Sequence, residues 1–149
     1  MNEQRPPPAA GNREAIGVMI VDDREVVRSG LATFLEAFDD LCLVGEAANG
    51  GEAMRLCAEL KPDVVLMDLA MPGMDGVAAI RALRQAHPDI AVVGLTSFGD
   101  QYRAQEALQA GAACCLGKDV PIDQLARAIR DAYSNGPAGR ALPPGPAAP

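Results

Sequence analysis

Residues 64–76 read VVLMDLAMPGMDG. A short apolar run ends in Asp68, a Pro/Gly loop follows, and the loop leads into the start of a helix. This pattern puts one carboxylate at the C-terminal end of a buried strand, the edge of an open α/β sheet where ligands and chemistry collect. A second apolar run, Val18-Met19-Ile20-Val21, ends in the acidic pair Asp22-Asp23. Three carboxylates at the ends of two buried strands repel one another. A bound divalent cation would supply a reason to hold them together.

Working outward from this stretch, strand-like and helix-like segments alternate along the chain. Ile16–Val21 reads as a strand, and 24–38 as a helix with Val27, Leu31, Phe34, Leu35 and Phe38 on one stripe. Leu41–Ala47 is a second strand, and 51–60 a second helix with Ala53, Leu56, Cys57 and Leu60 inward. Lys61-Pro62 closes that helix, because a residue before proline avoids the α region. The third pair is 64–67 and Gly76–Ala86, and the fourth is 90–95 and Gln101–Ala110, stopped by Gly111. The fifth pair is 114–116 and 121–134, whose helix has Ile122, Leu125, Ala126, Ile129, Ala132 and Tyr133 on one stripe. Five such units predict an α/β fold, a parallel sheet covered by helices on both faces. Residues 1–15, with Pro6-Pro7-Pro8, read as a flexible leader, and residues 136–149 (GPAGRALPPGPAAP) as a linker or tail.

Composition narrows the function classes. The 149 residues suffice for one domain, and with 49% hydrophobic residues the chain is globular in character. Aromatics are only 3% and Trp is absent, so the core is built from aliphatic residues, Ala and Met. A net charge of −7, with no Lys/Arg cluster longer than a pair, argues against direct nucleic-acid binding by this chain. There is no secretory signal pattern, and no apolar run nears the ~20 residues of a membrane span. A cytoplasmic location is expected. The four cysteines (Cys42, Cys57, Cys114, Cys115) lack CxxC spacing and a nearby His, so they read as small packing residues in a reducing compartment. Cys114 and Cys115 on one strand would point to opposite faces. A redox-sensor role is the alternative.

The C-terminal rim of the sheet would then collect Asp22 and Asp23 from the first strand and Asp68 from the third. The fourth would add Thr96 and Ser97, and the fifth Lys118. Hard oxygen ligands of this kind suit Mg²⁺. Asp68 could act as a nucleophile toward a phosphoryl group, with Lys118 and the Thr96 hydroxyl offsetting charge on its oxygens. Neither GxxxxGK[ST] nor GxGxxG is present, which disfavours a nucleotide-binding fold.

With VDDREVVRSGLATFL, DVVLMDLAMPGMDG, LTS and AGAACCLGKD in this order, the chain resembles the receiver domain of two-component response regulators across nearly all of residues 16–135. The segment KDVPIDQLARAIRDAYSNG is most similar to receivers of the NarL/LuxR class. The resemblance implies a doubly wound, flavodoxin-like five-stranded parallel sheet of order 2-1-3-4-5. It implies Asp68 as phosphoacceptor from a histidine kinase. It also implies Mg²⁺ held by Asp23, Asp68 and the backbone carbonyl of Ala70, with Asp22 acting through water, and Thr96 and Lys118 binding the phosphoryl oxygens. Such receivers usually precede a helix-turn-helix output domain, so control of transcription through that domain is expected, with a homodimer or another partner formed on phosphorylation. Here that output unit would lie outside the given sequence, unless the receiver stands alone and acts by protein contacts. Cys115 occupies the switch position where many receivers carry an aromatic, so no ring is there to swing inward. Asp119 stands where proline often follows the lysine, and Ala70 and Phe98 stand where such domains tune the access of water.

Blander readings exist for each residue. Asp22 and Asp23 also suit capping of the first helix. Thr96-Ser97 could be an ordinary turn, Lys118 a solvated lysine, and His87 before Pro88 a helix-terminating surface residue. Met67, Met71 and Met74 suit packing, while Gly73, Asp75 and Gly76 suit shaping of the loop. An Asp-nucleophile phosphatase would want a second carboxylate two residues after Asp68, and that residue is Ala70; the chain is therefore expected not to be an enzyme. A scaffold that works without phosphorylation is the third reading.

Overall fold

The computed structural model describes residues 15–71, 76–97 and 100–135. The leader apart from Ala15, the loop residues Pro72, Gly73, Met74 and Asp75, Phe98, and the 136–149 tail lie outside the described residues. Five strands alternate with five helices. They are β1 (Ile16–Val21), α1 (Glu25–Glu36), β2 (Leu41–Ala47), α2 (Gly50–Leu60), β3 (Val64–Asp68), α3 (Gly76–Ala86), β4 (Ala91–Thr96), α4 (Gln101–Ala110), β5 (Cys114–Gly117) and α5 (Ile122–Ser134). The strands pair in parallel in the order β2-β1-β3-β4-β5, as the resemblance implied.

The side-chain period of a strand explains the two cores. Met19, Val21, Val65, Met67 and Val92 face α2, α3 and α4, packing with Ala53, Cys57, Ile80 and Leu83. Their neighbours Val18, Ile20, Val64, Leu66 and Val93 face α1 and α5, packing with Leu35, Leu125, Ala126 and Ile129. Cys115 joins the first cluster and Cys114 the second, so adjacent thiols do point to opposite faces. All four cysteines are free; Cys57 is buried and the other three half-buried. Burial pushes the Cys57 thiol up to about 11. Cys114 also rises to about 11, through burial first and then the nearby Cys115 and Asp131.

Several expectations need correction. The α1 helix ends at Glu36, and Phe38 lies beyond it, with its ring edge-on to Phe34 at 5.4 Å. Neither aspartate caps α1: Arg24 is the N-cap residue and gives no side-chain bond, while Asp22 Oδ1 accepts the Arg24 N–H at 2.8 Å. Three stripe residues read as inward are substantially exposed, namely Leu60, Ile122 and Tyr133. Each sits at or near the end of its helix, and Leu60 still reaches the sheet, its Cδ1 lying over Gly45 of β2. β2 carries a one-residue irregularity: Val18 pairs with Leu43 but Met19 with Gly45, so Val44 is left over as a bulge.

Local chemistry sets the helix ends near the rim. Asn49 caps α2 by accepting from Glu52 N, and the Glu52 carboxylate in turn accepts from Ala48 N at 2.7 Å, a reciprocal arrangement that stabilises the first turn. Asp100 caps α4 by accepting from Arg103 N. At the other end of α4, Gly111 takes φ +118°, a left-handed conformation that side-chain-bearing residues rarely adopt.

Candidate functional site

Backbone bonds extend the sheet past its strands and gather the rim. Asp22 N donates to Ala47 O, Leu69 N to Leu95 O, and Lys118 N to Thr96 O, at 2.9–3.1 Å. These bonds fix Asp22, Asp68 and Lys118 at neighbouring strand ends. The carboxylates of Asp22, Asp23 and Asp68 each offer an oxygen within 4.8 Å of the others. Asp22 and Asp68 are 1% and 2% exposed, whereas Asp23 opens to solvent. Lys118 reaches in from the end of β5, placing Nζ 2.9 Å from Asp68 Oδ1 and 3.6 Å from Asp22 Oδ2. Asp68 Oδ1 also accepts from the Ala70 N–H at 3.0 Å.

The cluster is under-satisfied for the charge it carries. Asp22 Oδ2 is buried with no hydrogen-bond partner, since 3.6 Å to Lys118 leaves only Coulombic attraction. A buried carboxylate oxygen without a donor is costly. Three clustered carboxylates facing one lysine therefore make an acidic pocket that could bind a metal, and the all-oxygen donor set fits a hard cation such as Mg²⁺.

Thr96 is at the same rim and 8% exposed, but its hydroxyl donates to the Ser97 carbonyl at 3.4 Å. Among the described residues no hydrogen bond joins it to Asp68. Ala70 is exposed beside the cluster. Cys115 lies two strands over from Asp68, with β4 between them, and its Sγ is 3.4 Å from the Ala104 carbonyl of α4.

Residues 18–130 match the response regulator receiver domain family. The chain belongs to that family. The receiver is 44% identical over 122 residues to the transcriptional regulatory protein LiaR of Bacillus subtilis (strain 168), covering 82% of this chain and 58% of LiaR. It is 44% identical over 115 residues to the response regulator GacA of Pseudomonas viridiflava, covering 77% of this chain and 54% of GacA. Among solved structures, a LuxR-family two-component response regulator from Aurantimonas sp. SI85-9A1 superposes with a TM-score of 0.76 at 32% identity, over 85% of this chain and 94% of that one. The chain spans a little over half the length of the curated relatives it matches. It is thus a receiver of the two-component response regulator type, homologous to transcriptional regulators, and such regulators partner with histidine kinases. Among its described residues no helix is long and apolar enough to cross a membrane.

The receiver also has rim residues that sequence reasoning missed. Arg28 on α1 donates through Nη1 to the Asp22 carbonyl at 2.7 Å and through Nε to Glu46 Oε1 at 3.0 Å, tying α1 and β2 to the acidic strand end. Arg24 Nε lies 3.5 Å from Asp22 Oδ1. Arg103 on α4 donates to the Leu69 carbonyl at 2.9 Å. The Arg28–Glu46 and Arg103–Leu69 contacts join residues 18 and 34 apart, so no local spacing announces them. The proximity of Arg24 to Asp22 was the one signal available.

Proposed function

We propose that this receiver is a phosphorylation-controlled switch in which Asp68 accepts a phosphoryl group from the phosphohistidine of a histidine kinase. The observation that carries the reading is the 2.9 Å pairing of Lys118 Nζ with Asp68 Oδ1 at the mouth of the acidic cluster. An Asp68 carboxylate oxygen attacks phosphorus, and the phosphorus–nitrogen bond to the kinase imidazole breaks, its electron pair returning to the ring. Lys118 and the Ala70 N–H already face Asp68 Oδ1, so they stand ready to offset the negative charge that arrives. The Thr96 hydroxyl leaves only a long 3.4 Å bond when it turns to a phosphoryl oxygen. Mg²⁺ would be held by Asp23, Asp68 and the Ala70 backbone carbonyl, with Asp22 acting through water. When bound it supplies positive charge against the phosphoryl oxygens.

Movement of Thr96 and its loop then biases the face made of α4, β5 and α5, with Cys115 at the switch position, toward a second conformation. Residues 16–135 form the receiver unit, preceded by a leader and followed by a linker. In the whole protein the biased face favours a homodimer, and a helix-turn-helix output domain outside this chain acts on transcription in the cytoplasm. The acidic receiver itself takes no part in binding nucleic acid. It turns over no separate substrate, because Ala70 offers no acid or base beside Asp68.

The test is labelling of the chain by acetyl phosphate, followed by intact mass. The expected result is one phosphoryl adduct that requires Mg²⁺ and is absent in Asp68→Asn. Unchanged labelling of Asp68→Asn overturns the assignment, sustained hydrolysis of a phosphate ester would favour the phosphatase reading, and no adduct from any donor would favour the scaffold.

A further inference from the structure

A single peptide unit links the Asp68 carboxylate to a cation on another element. The Leu69–Ala70 peptide presents its N–H to Asp68 Oδ1 at 3.0 Å and its carbonyl to Arg103 Nη1 at 2.9 Å. Because a peptide is planar and trans, its N–H and C=O point in opposite directions and turn together. Any rotation that takes the N–H off Asp68 also takes the carbonyl off the guanidinium. A carbonyl bonded to a charged donor also polarises its peptide, which strengthens the N–H as a donor at the far end.

Arg103 is itself held in place for this contact. Its backbone N–H donates to Asp100 Oδ1 at 3.1 Å and its Nε to Asp100 Oδ2 at 3.2 Å, and Asp100 is the N-cap of α4. The planar fork of the guanidinium lets one nitrogen face Asp100 while another faces Leu69. The side chain is 40% exposed, so its contact is polar at the surface of the site rather than part of either core.

We infer that Arg103 is a positioning residue for the phosphoacceptor. It orients the Leu69–Ala70 peptide so that the Ala70 N–H aims at the Asp68 oxygen, and it does so from the first turn of α4. The inference rests on the reading of Asp68 as the phosphoacceptor. Its consequence is that docking of α4 and readiness of Asp68 are coupled: a surface that shifts α4 changes how fast Asp68 is phosphorylated, and phosphorylation changes how firmly α4 is held.

The test uses the full chain, labelled with ¹⁵N, with Arg103→Ala and Arg103→Lys. In the unphosphorylated protein without added cation, Arg103→Ala should displace the Ala70 amide cross-peak and speed its exchange with solvent by about three- to tenfold, the worth of one hydrogen bond. Amides of β1 should stay in place. With Mg²⁺ and acetyl phosphate, the initial labelling rate should fall by about the same factor. Arg103→Lys, which keeps a cationic donor for the Leu69 carbonyl, should recover part of both effects. An unmoved Ala70 signal in Arg103→Ala overturns the inference. So does a displaced signal with an unchanged labelling rate, or a lysine variant no better than alanine. Labelling that depends on Asp68 but is indifferent to Arg103 overturns the inference alone, whereas a parent chain that takes no label overturns the phosphoacceptor reading and the inference with it.

Discussion

Gly76 shows how closely the backbone is fitted around the site. A Cβ at this position would lie 2.6 Å from the Asp68 carbonyl oxygen and 2.7 Å from Leu69 Cα. Both are main-chain atoms, so neither can swing aside as a side chain would. The missing side chain is what lets α3 press against the end of β3. Gly76→Ala should therefore lower stability by ~1–3 kcal/mol, the usual cost of overpacking. The urea midpoint would fall at an unchanged slope, and an unmoved midpoint would show that α3 can slide off without cost. At this scale much of the candidate site was legible. Asp22, Asp23, Asp68 and Lys118 each follow a short apolar run, and residue type together with strand-end position placed them. Thr96 was placed at the right strand end, but its present partner, the Ser97 carbonyl, was not foreseeable from type alone. Arg103 escaped because its acceptor is a main-chain carbonyl, which carries no residue identity. The cysteines read as packing residues, and burial raises the Cys57 and Cys114 thiols to about 11, which opposes a redox-sensor role for those two.

Between elements, α5 is fastened to the segment before β2 by Arg130, whose Nε and Nη2 donate to the two Asp40 oxygens at 2.7 and 2.9 Å. The guanidinium also sits 5.3 Å from the centre of the Phe38 ring. The hydrogen bond from Arg130 is the first cause that holds the Asp40 carboxyl below its ordinary 3.8. A depressed carboxyl contributes stability that is present above its unfolded pKa and lost as the pH falls through its folded value. The stability difference between the parent and Asp40→Asn should accordingly be largest at neutral pH and shrink as the pH drops below 3.8. Urea melts across that range would check it, and a difference that grows on acidification would contradict the pairing. The elements themselves were readable to within a residue or two, because the strands are continuous apolar runs and Gly111, Pro62 and Pro121 punctuate the helices. What escaped were features set by neighbours. Gly45 falls opposite Met19 only because β2 bulges, and Leu60, Ile122 and Tyr133 are periodic yet substantially exposed at or near helix ends.

For the whole molecule, the parallel order β2-β1-β3-β4-β5 brings the ends of β1, β3, β4 and β5 to one rim from segments far apart in the chain. The architecture thereby gathers three carboxylates, a hydroxyl and a lysine without any of them being sequence neighbours except Asp22 and Asp23. A buried Asp22 Oδ2 without a hydrogen-bond partner, beside two further acids, makes an acidic pocket that could bind a metal. Of the helices, α4 touches the rim through Arg103, which donates to the Leu69 carbonyl. The central claim is that Asp68, rather than Asp22 or Asp23, carries the phosphoryl group. An acyl phosphate is reduced by borohydride where an ordinary carboxylate is not, leaving a primary alcohol at the modified residue. The decisive measurement is peptide mass mapping of the chain after labelling with acetyl phosphate and Mg²⁺ and reduction with borohydride. Reduction at residue 68 alone is the expected result. Reduction at residue 22 or 23, or none anywhere in the labelled chain, would contradict it.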